Sequence, residues 1–166
     1  MKENSSIKEK ALHPEQLKRE RPAGSSGASA PGSTEECGGE LDERICTALR
    51  SASDKKALDL VVLDLRAIAS FTDYFLITSG TNPRQVQAIA DEIVEQLKKQ
   101  GTRAARVEGY STAEWVLVDY GDFVVHVFEE KSRRFYDLER LWRDAARVEL
   151  PPEFAPAGDS SLRKES

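Results

Sequence analysis

Apolar residues recur at helical spacing in three parts of the chain. A first helix is predicted over residues 41–53. A second begins after Asn82, a good N-cap, with Pro83 at the first helical position, and its apolar stripe runs until Gly101 ends it. A third helix is predicted over residues 131–146. It would place four bulky apolar side chains on one face: Phe135, Leu138, Leu141 and Trp142.

Five other apolar runs are short, rich in Val, Leu and aromatic residues, and typical of β-strands. They cover residues 57–65, 72–80, 105–109, 114–120 and 123–128. A tight turn around Gly121 and Asp122 joins the last two, which should form an antiparallel hairpin. The order of helices and strands predicts an α/β fold in which one domain contains a mixed five-stranded sheet flanked by helices.

The pattern divides the chain into three zones. Residues 1–39 include "RPAGSSGASAPGSTEECGG" and predict a disordered N-terminal arm, because such a composition cannot bury enough apolar surface to offset its ordering entropy. A piece upstream of it, "IKEKALHPEQLKRERP", mixes charges and is compatible with a transient helix. Residues 40–148 are predicted to fold, and residues 149–166, which contain three prolines, are predicted to be a loose C-terminal tail.

Composition narrows the classes of function. The net charge of −5 gives no overall basic field, so a direct reader of nucleic acid is not expected, whereas a basic partner would be favoured. Cys37 and Cys46 match no zinc spacing and are interpreted as reduced thiols. No apolar run approaches the ~20 residues of a membrane span, and the first residues lack the apolar stretch of a signal peptide. We therefore expect a cytoplasmic protein with no membrane association.

One enzyme class needs a specific test. A Ser-Gly turn at residues 79–80, before a helix, would suit a nucleotidyltransferase, which also needs two carboxylates at alternate positions of one following strand. The next acidic pair, Asp91 and Glu92, is adjacent in a helix, so the metal-binding pair is missing. His126 lies between valines in a strand and is interpreted as a structural group. We predict no catalytic set, no metal and no cofactor.

Two features remain open from the residues alone. The segment "KSRRFYDLERLWR" could contact RNA phosphates or could be the solvated face of an amphipathic helix. Trp115 shares one strand face with Leu117 and Asp119, while Val116 and Val118 occupy the other. If the valine face lines the core, Trp115 is an exposed interface anchor. If helices cover both faces, it is a core residue, and periodicity does not decide between the two.

Several motifs resemble one family in order and spacing. They are "TDYF", the "SGT" turn, "RQV-x-AIADE", "AEWVLVDYGD" and "FYDLERLW", within about residues 41–145. Together they resemble the ribosomal silencing factor family, also called Iojap-like. The resemblance implies a fold similar to that of a nucleotidyltransferase without its catalytic residues, in a protein that is not an enzyme. It does not extend to the N-terminal arm or the proline-bearing C-terminus.

The resemblance also implies a function. Such proteins bind the large ribosomal subunit through large-subunit ribosomal protein number fourteen, sterically block joining of the small subunit and so repress translation when nutrients are scarce. Related organelle proteins instead assist assembly of the large subunit. A homodimer is implied for the free protein. The alternatives are an assembly role and a divergent nucleotidyltransferase.

The matching positions locate the expected contact surface around "AEWVLVDYGD". Trp115 would be the apolar anchor, and Glu114, Asp119 and Asp122 would be acidic groups that face a basic ribosomal protein. The expected rim and the neighbouring strand contribute four further residues: Tyr110, Tyr120, Asp73 and Tyr74.

Overall fold

The computed structural model describes residues 7–13 and 41–154. Five α-helices are present in these ranges: α1 (Ile7–Leu12), α2 (Glu43–Asp54), α3 (Pro83–Lys99), α4 (Glu130–Tyr136) and α5 (Leu138–Leu141). Six strands form one sheet: β1 (Leu58–Asp64), β2 (Tyr74–Gly80), β3 (Arg106–Glu108), β4 (Trp115–Asp119), β5 (Phe123–Glu129) and β6 (Ala146–Arg147). A 3-10 turn follows at Pro152–Phe154.

The strands lie in the order β3-β4-β5-β2-β1-β6. The β2 and β5 strands are parallel and the other neighbours are antiparallel, so the sheet is mixed, as predicted. The predicted hairpin of β4 and β5 is confirmed, with Trp115 opposite Phe128 and Asp119 opposite Val124. The sheet has six strands rather than five, because Ala146 and Arg147 form a short strand, β6, that pairs with β1. The helix predicted over 131–146 included the first of these two residues.

One face of the sheet is covered by α2 and α3. The side chain of Asn82 caps α3 by accepting a hydrogen bond from the amide of Gln85 at 2.9 Å, and Pro83 begins the helix as predicted. The predicted apolar stripe of α3 is buried: Val86, Ile89, Ala90, Ile93 and Leu97. These side chains belong to the first of two core clusters, which also contains Val116 and Val118. The valine face of β4 therefore lines a core.

The opposite face is covered by shorter pieces. The helix predicted over 131–146 is wrong in extent, because Asp137 adopts a left-handed conformation, with φ of 51°, between α4 and α5. The predicted apolar face is therefore split. Leu138 and Trp142 are buried, but Phe135 is 78% exposed and Leu141 is 40% exposed.

Two ordered pieces lie in segments that the sequence assigned to the loose ends. The α1 helix falls within the predicted arm, yet its Ile7 and Ala11 are buried. They belong to a second core cluster, on the side of the sheet opposite α2 and α3, together with Trp115, Leu117 and Trp142. Phe154, within the predicted tail, is buried in the first. The zone boundaries themselves stay a prediction.

Cys46 is buried in α2 and disulfide-bonded, so its interpretation as a reduced thiol is wrong.

Candidate functional site

Trp115, the predicted anchor, begins β4 and is 3% exposed. It belongs to the core cluster on the side of the sheet covered by α1, α4 and α5, so of the two alternatives that periodicity left open the core position is the one observed, and Trp115 is not an exposed anchor in this structure. The physical reason is that both faces of the sheet are covered by helices. The Trp115 ring lies 5.0 Å from that of Phe128 and 4.7 Å from that of Tyr136, measured between centroids. Its indole N–H donates a hydrogen bond to Nδ1 of His126 at 3.0 Å.

His126 is a buried structural group, in agreement with its interpretation. Burial lowers its pKa to about 3, and the Lys8 ammonium acts in the same direction, so the imidazole is neutral near pH 7. Because Nδ1 accepts the hydrogen bond from Trp115, the remaining proton is assigned to Nε2. Nε2 is buried without a hydrogen-bond partner among the described residues. A base that is enclosed in this way cannot reach a substrate.

Five of the eight predicted site residues gather where β4 turns into β5. Asp119 accepts a hydrogen bond from the amide of Gly121 at 2.8 Å, which fixes the turn. The carboxylate of Asp122 pairs with Arg44 at 2.8 Å, and its carbonyl accepts hydrogen bonds from the amides of Asp73 and Tyr74 at 2.9 and 3.3 Å. The turn therefore links β4, β5, α2 and the start of β2.

Tyr120 belongs to this turn but is not a rim residue. Its ring stacks on Phe123 at 4.9 Å, and only 9% of the residue is exposed. Burial raises the pKa of its hydroxyl to about 12. The expectation of an amphipathic rim position for Tyr120 is therefore wrong in this structure, because the side chain packs into the first core cluster.

The other three predicted residues lie at the opposite end of β4. Glu114 is exposed next to Trp115, and Tyr110 is 40% exposed and donates its hydroxyl to Asp91 at 3.0 Å. Trp115 and Asp119 are the first and last residues of β4, four steps of about 3.3 Å apart, so the eight residues form two groups rather than one.

A carboxylate that the sequence analysis missed joins the Trp115 end. Glu108 of β3 lies opposite Leu117 in the ladder, and paired residues share a face, so Glu108 is on the same side of the sheet as Trp115. It also forms an ion pair with Arg106 at 3.4 Å. The period-two pattern of residues 105–109 could have suggested this face, but not the strand pairing that brings Glu108 beside β4.

The Ser-Gly turn has its polar groups engaged by the chain itself. The Ser79 hydroxyl accepts a hydrogen bond from the Arg133 guanidinium at 3.1 Å, and Arg133 also pairs with Glu139 at 3.1 Å. The amide of Thr81 donates to the side chain of Gln85 at 2.7 Å. The Ser79 hydroxyl and the Thr81 amide, which could bind a phosphate in an enzyme of this topology, are therefore hydrogen-bonded to other side chains of the protein. Arg133 itself is largely buried and is not part of a solvated basic face.

The acidic pair of α3 is also engaged. Asp91 accepts the Tyr110 hydroxyl and Glu92 accepts a hydrogen bond from Gln96 at 2.9 Å. Within residues 7–13 and 41–154, no group of three or more His, Cys, Asp or Glu is placed to hold a metal ion. None of the helices in these ranges is both long and apolar enough to span a membrane.

A model of the family described as "Ribosomal silencing factor during starvation" matches residues 39–166. The chain belongs to the ribosomal silencing factor family. The resemblance seen in the motifs is thereby confirmed, and α1 lies outside the matched residues.

Relatives and a solved structure agree with this membership. "Ribosomal silencing factor RsfS" of Halalkalibacterium halodurans is 46% identical over 108 residues, which are 65% of this chain and 92% of that protein. A crystal structure from Bacillus halodurans is 44% identical, has a TM-score of 0.59 and matches 65% of this chain and 98% of its own. The mouse "Mitochondrial assembly of ribosomal large subunit protein 1" is 31% identical over 137 residues, covering 80% of this chain and 58% of that protein.

Proposed function

We propose that this protein binds the large ribosomal subunit, prevents the small subunit from joining and so represses translation, most of all under nutrient limitation. The family match over residues 39–166 is the observation that carries this proposal. The action is steric: a protein bound at the subunit-joining face excludes the small subunit from that volume, and no chemical step or cofactor is required. The predicted cytoplasmic location belongs to the same proposal, because subunit joining would occur there.

The proposed partner is large-subunit ribosomal protein number fourteen, contacted through the Trp115 end of β4. Support comes from the charge of this region, where Glu114 is exposed and the half-buried Glu108 lies on the same side as Trp115. Acidic groups at an interface select a basic partner and repel phosphate. The apolar role of Trp115 would be indirect, through the packing that holds this end of β4 in place.

A charge reversal tests the surface without disturbing the core. We expect Glu114→Lys to weaken binding to purified large subunits by about tenfold or more, because a cation would face a basic partner. Glu95→Lys is the matched control, since Glu95 is exposed on α3 and the change in net charge is equal. Equal affinities for the two variants, with unchanged melting temperatures, would refute this surface.

The action itself is tested by sedimentation. In a sucrose gradient, the wild-type protein should migrate with free large subunits and reduce the yield of joined ribosomes. Protein that remains only at the top of the gradient would contradict the proposal.

Light scattering of the free protein tests the homodimer that we propose for the unbound state, and a monomeric mass would exclude it.

A role in assembly of the large subunit is the second candidate. The observation that favours it is the name of the mouse relative, which describes assembly of that subunit. Cells that lack the protein would then accumulate immature large-subunit particles during growth in rich medium. In the silencing role, the mature particles would form normally and the defect would appear on starvation.

A further inference from the structure

The α1 helix covers the surface that the proposed function assigns to the partner. Its residues Ile7 and Ala11 are 8% and 0% exposed, and they belong to the same cluster as Trp115 and Leu117. The helix comes from outside the residues that the family model matches. A helix outside the residues matched by the family model therefore lies against the Trp115 end of β4.

Lys8 lies over the ring of Trp115. Its Nζ lies 4.9 Å from the centroid of the Trp115 ring, which is cation–π geometry. Burial lowers the pKa of Lys8, while the nearby carboxylates Glu108 and Glu114 act in the opposite direction. A Cβ on Gly109 would clash first with the backbone carbonyl of Trp115 and would also meet the Lys8 amino group, so Lys8 lies close against this turn.

Trp142 and Phe71 both contact α1. The indole N–H of Trp142 donates to the carbonyl of Ala11 at 2.7 Å, and Lys10 lies 5.8 Å from the ring centroid of Phe71. A helix of six residues is not stable alone in water, because nucleation is unfavourable and few turns follow it. The fold of α1 therefore depends on docking, and its release would uncover the half-buried Glu108 and part of Trp115 beside the already exposed Glu114.

We propose that α1 is an intramolecular competitor for the ribosome-binding surface, with Lys8 occupying the site between Glu108, Glu114 and Trp115 that a basic segment of the partner protein would bind. The proposal rests on the proposed function. The partner is a protein with a Lys or Arg at its contact point rather than RNA, because both carboxylates would repel phosphate. Binding requires α1 to leave.

The competition has a measurable size. If α1 covers the surface in nine of ten molecules, the apparent Kd for the partner is about tenfold higher than the intrinsic value. Variants that release α1 remove this penalty and should bind more tightly. A purely structural role for α1 predicts the reverse, since losing a supporting helix would leave the surface less well formed.

The first test reverses the charge of Lys8 in the full-length chain. Lys8→Glu puts a carboxylate beside Glu108 and Glu114, so α1 should detach, and the apparent Kd for purified large subunits should fall by about three- to tenfold. Lys98→Glu is the control: it makes the same change in net charge on the exposed side of α3 and should leave the Kd unchanged.

A second variant releases α1 without changing the charges that face Glu108 and Glu114. Ala11→Asp places a charge at a fully buried position of α1 and should also lower the Kd. Acrylamide quenching reports release directly, since both tryptophans of the chain, Trp115 and Trp142, contact α1. Quenching should increase in both variants, with the melting transition of the domain retained.

The outcomes are distinguishable. Tighter binding by both α1 variants supports competition. If quenching increases but binding is unchanged or weaker, or if quenching does not increase, the competitor proposal is overturned while the proposed function stands. If neither the wild type nor any variant binds large subunits, the proposed function fails and the competitor role fails with it.

Discussion

The two faces of the sheet are covered in different ways. On one face, α2 and α3 have 12 and 17 residues, and α3 begins with a side-chain cap. On the other, α1, α4 and α5 have six, seven and four residues, and neither α4 nor α5 has a side-chain cap hydrogen bond. The second face also contains the buried polar pair of Trp115 and His126.

The difference separates stability from regulation. A helix of 17 residues with a cap and a continuous apolar stripe has local preferences that agree with its tertiary contacts. Short helices depend on docking for their order, so they open at lower free energy than the rest of the domain. Elements that move on binding come from that low-stability group, and the proposed partner surface lies on the face where such elements are found.

The largest effect is expected on the α2 and α3 side. Ile93 of α3 is fully buried, so Ile93→Ala should reduce the free energy of unfolding by about 2–5 kcal/mol through lost burial and the cavity that remains. Urea denaturation followed by circular dichroism measures it. Glu95→Ala, on the exposed side of the same helix, should change stability by about 0.5 kcal/mol or less. Similar losses for the two variants would contradict the assigned core.

The sequence predicted the α2 and α3 face better than the other face. The start of α3 follows from Asn82 and Pro83, and the hairpin follows from the turn at Gly121, because these signals act within a few residues. The break at Asp137 was missed because the apolar pattern continues past it, and a left-handed Asp carries no periodic signal. The docking of α1 was missed because composition describes a segment's average and not its long-range contacts.

The site was harder to predict for a related reason. Period-two alternation separated Trp115 from Val116 correctly, but it does not reveal which helices cover each face. Burial of Trp115 depends on Tyr136 and on α1, both distant in sequence. Family motifs identified the region of Glu114, while Glu108 required the pairing of β3 with β4.

Lowering the pH should destabilise the fold through His126, which lies on the side of the sheet covered by α1, α4 and α5. The folded-state pKa of His126, about 3, lies below the value of about 6.5 expected when the chain is unfolded. The unfolded state therefore binds more protons, so the stability that neutral His126 permits is complete above about pH 6.5 and decreases as the pH falls toward 3. Between pH 7.5 and pH 5 this residue alone should cost about 2 kcal/mol, measured by urea denaturation.

The His126→Gln variant isolates that contribution. Its amide oxygen can still accept the Trp115 hydrogen bond, but the side chain does not titrate. The variant will be less stable at pH 7.5 because the shape changes, so the test is the difference between the two pH values. A pH dependence equal to that of the wild type would show that other groups are responsible.

The smallest effect is expected at α1, for the same chemical change as in α3. Ile7 is 8% exposed, but Ile7→Ala cannot lower global stability by more than the free energy with which α1 docks. If nine of ten molecules are docked, that limit is about 1.4 kcal/mol, so the loss should be below it and well below that of Ile93→Ala. Hydrogen exchange should show faster exchange in α1 with unchanged protection in α3. A loss of 3 kcal/mol or more, about twice that limit, would mean that α1 is integral to the domain and too firmly held to compete with a partner.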